Sequence, residues 1–126
     1  KEDKNSSKMN YDNDNIFAKI LRGEIPCKKI YENEFILAFY DISPQKKIHA
    51  LVIPKGKYID LDDFNKNASD KEVVELNKGI SHVSNLLGTS NKGYRALTNI
   101  GVDGGQEVPH LHFHIFAGEI IGKMVS

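Results

Sequence analysis

HLHFHIF, residues 110–116, sets His110, His112 and His114 at alternate positions with Leu111, Phe113 and Ile115 between them. Successive side chains of an extended strand point to opposite faces. The spacing therefore predicts one apolar face turned to a core and a row of three imidazoles on the other. Three of the chain's five histidines lie in this one segment. Each buried imidazole left without a partner costs on the order of 1–3 kcal/mol, so a row of three reads as a site. His82, alone in a helical pattern, reads as an ordinary satisfied polar side chain.

Outward from the row, YRALTNI from 94 and VPHLHFHIF from 108 are β-rich segments joined by the glycine-rich turn GVDGG. HALVIPK, 49–55, reads as another strand, and KKIYE and FILAFYD, separated by Asn33-Glu34, as a tight hairpin. SDKEVVELNKGISHVSNLLG opens with Ser69 and Glu72 in capping-box spacing and carries Val73, Leu76, Ile80, Val83 and Leu87 at helical intervals. It predicts a long helix closing at Gly88. NDNIFAKILRG predicts a short one, with Asn13 or Asp14 as N-cap and a stop at Gly23. Residues 1–14, almost wholly polar, read as a mobile tail before a single domain over 15–126. This order predicts an α+β domain: a five-stranded, mainly antiparallel sheet covered on one face by the long helix.

The 126 residues suit one domain, large enough to bury roughly two-thirds of its unfolded surface. Seventeen basic against seventeen acidic side chains leave no net field, which argues against nucleic acid and anionic membranes as partners. Any bound phosphate must be held locally. The single Cys27 excludes an internal disulfide, and neither a transmembrane run nor a signal-like stretch is seen, so a cytoplasmic location is expected.

Imidazole can act as nucleophile, proton donor and anion hydrogen-bond donor near neutral pH, and a phosphate is wide enough to meet several at once. Gly104 and Gly105 would let backbone N–H groups approach such a ligand. A metal competes for the same side chains. Strand rise sets the Cα atoms of His110 and His114 roughly 13 Å apart, too far for both to reach ~2.1 Å from one ion. Two neighbours could still chelate with His49 as a third ligand.

The run HLHFHIF matches the H-x-H-x-H-x-x signature of the histidine-triad (HIT) family. NIFAKILRGEIPCKKIYENEFILAFYDISPQKKIHALVIPK and LTNIGVDGGQEVPHLHFHIFAG extend the likeness over roughly residues 15–118, and resemble the Hint branch of purine nucleoside phosphoramidases. The resemblance implies a HIT-like fold whose sheet continues across a homodimer. It also implies a hydrolase that attacks the α-phosphorus of a purine nucleotide derivative through a nucleotidyl-histidine. His112 would be the nucleophile, His114 would serve the phosphate oxygens or leaving group, and His110 and His49 would complete the polar shell. Ile16, Phe17, Ile20, Ile25 and Phe39 correspond to the apolar base pocket, Asp41 to the acceptor of the ribose hydroxyls and Asn99 to a polar residue near the phosphate, with Ile42, Gly105, Gln106, Glu107 and Val108 among the other nucleotide-binding positions.

Departures from the family pattern bear on metal and specificity. Asn15 and Ala18 stand where many relatives carry a Cys-x-x-Cys half of a zinc site, so neither a metal nor another cofactor is expected. Glu107 replaces a serine that contacts the scissile group in animal relatives, and AGEIIGKMVS lacks their Trp-Pro-Pro-Gly ending. Two other readings stay open: a dinucleoside polyphosphate hydrolase of the same superfamily, and a nucleotide-binding interaction module with incidental catalysis.

Overall fold

Alternation within the apolar strands sets the layers of the computed structural model, which describes residues 10–124. Its strands are β1 (Lys29–Glu32), β2 (Ile36–Tyr40), β3 (Ile48–Pro54), β4 (Arg95–Leu97) and β5 (Phe113–Ala117). They form one sheet in the order β1-β2-β3-β5-β4, every neighbour antiparallel. Ile36, Ala38, Ala50, Val52, Leu111 and Ile115 belong to a core on one face; Leu37, Phe39, Leu51 and Ile53 form a second core on the other. Apolar residues at consecutive positions of β2 and β3 thus reflect a sheet covered on both sides, as such runs do.

The first face is covered by α3 (Asp70–Leu86). Ser69 Oγ accepts from the Glu72 N–H, and the Glu72 side chain returns a bond to the Ser69 N–H, so the expected capping box is formed. Leu76 and Val83 enter the core beside Ile36. Gly79, also buried, lies where a β-carbon would overlap Ile36 Cδ1, so a missing side chain lets this helix sit close on β2. Gly88, at φ +74°, follows the last turn and stops the helix where a left-handed residue is needed. The remaining long-helix histidine, His82, is exposed and meets Tyr31 edge-on with centroids 4.5 Å apart.

Several boundaries differ from those the sequence predicts. A third helix, α2 (Leu61–Asn67), was not expected; Asp60 caps it by accepting from the Asp63 N–H, and it inserts Phe64 into the first core. The short helix α1 (Ile16–Leu21) is capped by Asn15, not by Asn13 or Asp14. Asn15 Oδ1 accepts from the Ala18 N–H at 2.9 Å while its Nδ2 donates to the Asp12 carbonyl at 2.7 Å. The hairpin turn runs over Asn33, Glu34 and Phe35, with Asn33 Oδ1 accepting from two backbone N–H groups ahead of it. β4 and β5 are shorter than YRALTNI and VPHLHFHIF, because residues 108–112 leave the ladder. Of the stretch 1–14, residues 1–9 lie outside the described residues, and Tyr11, within that stretch, is buried, 6% exposed. Among the described residues, no helix is long and apolar enough to cross a membrane.

Candidate active site

The histidines stand on the sheet face opposite α3. In the β3–β5 register Leu51 lies opposite His114 and His49 opposite Phe116, so these four share that face with Phe39 of β2. Upstream of β5, residues 110–112 are held by other means. The Leu111 N–H donates to the Tyr58 carbonyl, and Thr98 Oγ1 donates to the His112 carbonyl at 2.7 Å. Leu111 is fully buried in the first core while His110 and His112 are buried on the other side, so the alternation continues past the ladder's end.

Partners that can only donate or only accept fix where each imidazole carries its proton. His110 Nε2 lies 2.9 Å from the Pro54 carbonyl and must donate; its Nδ1 then accepts from the Tyr11 hydroxyl. His112 Nδ1 donates to the His110 carbonyl at 2.7 Å, which leaves the Nε2 lone pair of His112 free of a proton. His49 Nδ1 accepts from the Gln45 N–H at 3.1 Å, so its proton is on Nε2. That proton faces His114 Nδ1 at 2.9 Å and Asp41 Oδ2 at 3.4 Å. His114 in turn carries its own proton on Nε2. Burial holds all four imidazoles below their ordinary pKa, His110 and His114 at about 4, and opposes protonation of His112 and His49 as well. At neutral pH the row offers one free lone pair, on His112, beside one ring N–H, on His114.

Aromatic rings hold the row in place. Phe17 of α1 meets His112 edge-on at 4.9 Å and His110 at 6.3 Å, and Phe116 lies parallel to His114, 5.5 Å away. Phe17 and Phe39 pack edge-on at 5.7 Å in the second core, with Ile20 and Val108 half-buried against them. Ile25, Asp41 and Asn99 are half-buried. Ile16 is 41% exposed and Ile42 92% exposed, so these two stand at the surface rather than in the core. Asp41 Oδ1 accepts from the Ser43 N–H, which leaves Oδ2 toward His49. Gly105 takes φ +76°, a conformation that requires glycine here. The Gln106 amide donates to the Ile59 and Val108 carbonyls and accepts from the Gly101 N–H, so it ties the loop down. Glu107 is exposed, and its charge acts on His112.

Asp41, His49 and His114 offer donor atoms that all lie within 4.8 Å of one another, a trio in which Asp41 takes the place of the second triad histidine considered above beside His49. A ligating imidazole must present a lone pair, and the Gln45 N–H at Nδ1 places the proton of His49 on the nitrogen that faces the trio. With the proton so placed, the three side chains form a hydrogen-bond relay from His49 to Asp41 and His114. At the other positions, Asn15 caps a helix and Ala18 is buried, so neither offers a ligand of the missing zinc site.

Tyr11, Gln45, Pro54 and Thr98 were not among the residues the sequence singles out. Backbone donors and acceptors leave no trace in a residue pattern, and Thr98 resembles any strand threonine. Tyr11 carried a signal: it is the aromatic in an otherwise polar stretch.

A HIT domain model matches residues 22–120. An uncharacterized 13.2 kDa HIT-like protein of Azospirillum brasilense is 53% identical over 116 residues, 92% of this chain and 95% of that one. An uncharacterized HIT-like protein of Helicobacter pylori is 50% identical over 83% of this chain and 97% of its own. Among solved structures, a HIT family hydrolase from Clostridium thermocellum has a TM-score of 0.82 at 34% identity, covering 90% of this chain and 97% of the other. A histidine triad nucleotide-binding protein from Candida albicans has a TM-score of 0.71 at 31% identity, covering 80% and 72%. The domain match takes in every strand of the sheet and the whole histidine row, and the chain belongs to the HIT family.

Proposed function

We propose that this protein hydrolyses purine nucleoside phosphoramidates or acyl-adenylates at the α-phosphorus. One observation carries the reading: His112 Nδ1–H is held by the His110 carbonyl, so an unprotonated Nε2 is presented by a buried, neutral imidazole. That is the state a nitrogen nucleophile needs. Nε2 forms a bond to phosphorus as the P–N bond to the amine, or the P–O bond to the acyl group, breaks. The His114 Nε2–H donates to phosphate oxygens or to the leaving group as charge develops there. Water then attacks the nucleotidyl-histidine, releasing the nucleoside monophosphate and returning His112 to its starting form. His49, held by Gln45, orients His114. Phe17, Ile20, Phe39 and Val108 supply apolar walls for a purine, with Ile16, Ile25 and Ile42 at its mouth. Asp41 accepts from the ribose, and Asn99, Gly105 and Glu107 border the phosphate. The hydrolase and nucleotide-binding names of the C. thermocellum and C. albicans neighbours support the same class.

We also propose a homodimer. β4 is an edge strand with one unpaired side, and an open groove of about 960 Å³ lies next to it, between Lys92–Arg95 and Gly118–Lys123, lined by none of the four histidines. Pairing β4 with a second copy would protect that edge.

Rates on an adenosine phosphoramidate and on a diadenosine polyphosphate, for wild type and His112→Ala, test the activity. The expected result is faster turnover of the phosphoramidate and a loss of ~10² or more in the variant. Faster turnover of the dinucleotide assigns the protein to the other branch. A variant that keeps more than about a tenth of the rate removes His112 as nucleophile.

A further inference from the structure

The domain match begins at Arg22, yet one polar contact to the histidine row comes from an earlier residue. Tyr11 is 6% exposed and its ring meets His110 edge-on, with centroids 5.6 Å apart. Its hydroxyl donates to His110 Nδ1. The segment is itself anchored, since the Asn15 side chain and N–H both reach the Asp12 carbonyl.

The two ring nitrogens of His110 are satisfied together, while its backbone N–H donates to the Val108 carbonyl. With the Pro54 carbonyl fixing the proton on Nε2, Nδ1 is a buried lone pair that only a donor can satisfy. The Tyr11 hydroxyl is that donor, and burial keeps its proton on. The carbonyl of the same residue holds His112 Nδ1–H at 2.7 Å. Rotation of the His110 ring leaves that carbonyl in place but disturbs Phe17, whose ring meets His110 at 6.3 Å and His112 at 4.9 Å, so the two imidazoles share one packing partner.

We propose that Tyr11 is a positioning residue for the reaction, locking the tautomer and orientation of the His110 ring and, through the Phe17 ring packed against both imidazoles, the orientation of His112. The inference rests on the activity proposed above, and its test has one readout that needs no turnover. Tyr11→Phe removes the hydroxyl and keeps the ring. In ¹⁵N NMR of imidazole-labelled protein at neutral pH, wild-type His110 should show a single form with the proton on Nε2. The variant should show exchange between forms or a proton on Nδ1. With an adenosine phosphoramidate, kcat should fall roughly tenfold or more, the scale typical of groups that orient a functional histidine. KM should stay within about twofold, because the base and ribose contacts are untouched. Thermal melting checks that the variant is folded.

An unchanged His110 spectrum overturns the proposal, and so does a kcat equal to wild type. A drop in kcat with an unaltered tautomer assigns Tyr11 a packing role only, and also overturns it. If wild type turns over no phosphoramidate, the proposed activity fails, and the tautomer of His110 in the variant alone decides the role of Tyr11.

Discussion

At the scale of single residues, proton positions matter more than residue types. Asp41 divides its carboxylate, with Oδ1 taken by Ser43 and Oδ2 toward the His49 N–H. In Asp41→Asn the amide keeps one acceptor and must place its NH₂ against that N–H or give up Ser43. The substitution therefore disturbs His49 as well as any ribose, and absolute affinity is a poor readout. The ratio of AMP to deoxy-AMP binding isolates the sugar. Wild type should prefer AMP by tenfold or more, the value of a hydrogen bond to a charged group, and the variant should lose most of that ratio. Equal binding of the two nucleotides by wild type in a titration would remove Asp41 from the ribose. The row itself was legible because period-two spacing is a property of sequence. Its wiring was not, since His110 depends on Tyr11, 99 residues away, and on a carbonyl that any residue at position 54 would offer.

At the scale of elements, the long helix was the most legible part, because its capping box and apolar stripe are local. The position of Gly79 inside it has a tertiary cause. Helix propensity alone favours alanine there by about 1 kcal/mol. The overlap with fully buried Ile36 should reverse the sign, since overpacking a core typically costs about 1–3 kcal/mol. Gly79→Ala should lower stability in wild type, and raise it in an Ile36→Val background where the offending methyl is gone. Denaturant titration of the four proteins measures the coupling, and additive effects would disprove the contact. α2 escaped notice because seven residues with one deeply buried side chain, Phe64, give no periodicity to count. The alternation in the sequence runs past the end of β5, because an extended chain keeps alternating after its ladder partners end.

For the whole molecule, the neutral imidazoles link stability to pH. The unfolded chain protonates its histidines below about pH 6.5, whereas folded His110 and His114 resist until about pH 4. Between these values the unfolded state binds more protons, so stability falls as pH falls and is flat in this respect above the window. Fully buried His110 alone contributes a slope of up to about 1.4 kcal/mol per pH unit, and His49 and His112 act in the same direction. Unfolding free energies measured at pH 7, 6 and 5 should decline across the series, and equal values would contradict the buried neutral state. The strand order has a different consequence, one for the protein while it is being made. Among the described residues β5 is the last strand in sequence, yet it sits between β3 and β4. During translation β3 must wait with an open edge, and β4 with no neighbour, until residues 113–117 clear the ribosome exit tunnel. A nascent chain halted before that point carries an apolar, unpaired strand and an unfinished pocket together, so incomplete products are marked for quality control by the same edge that the finished protein conceals.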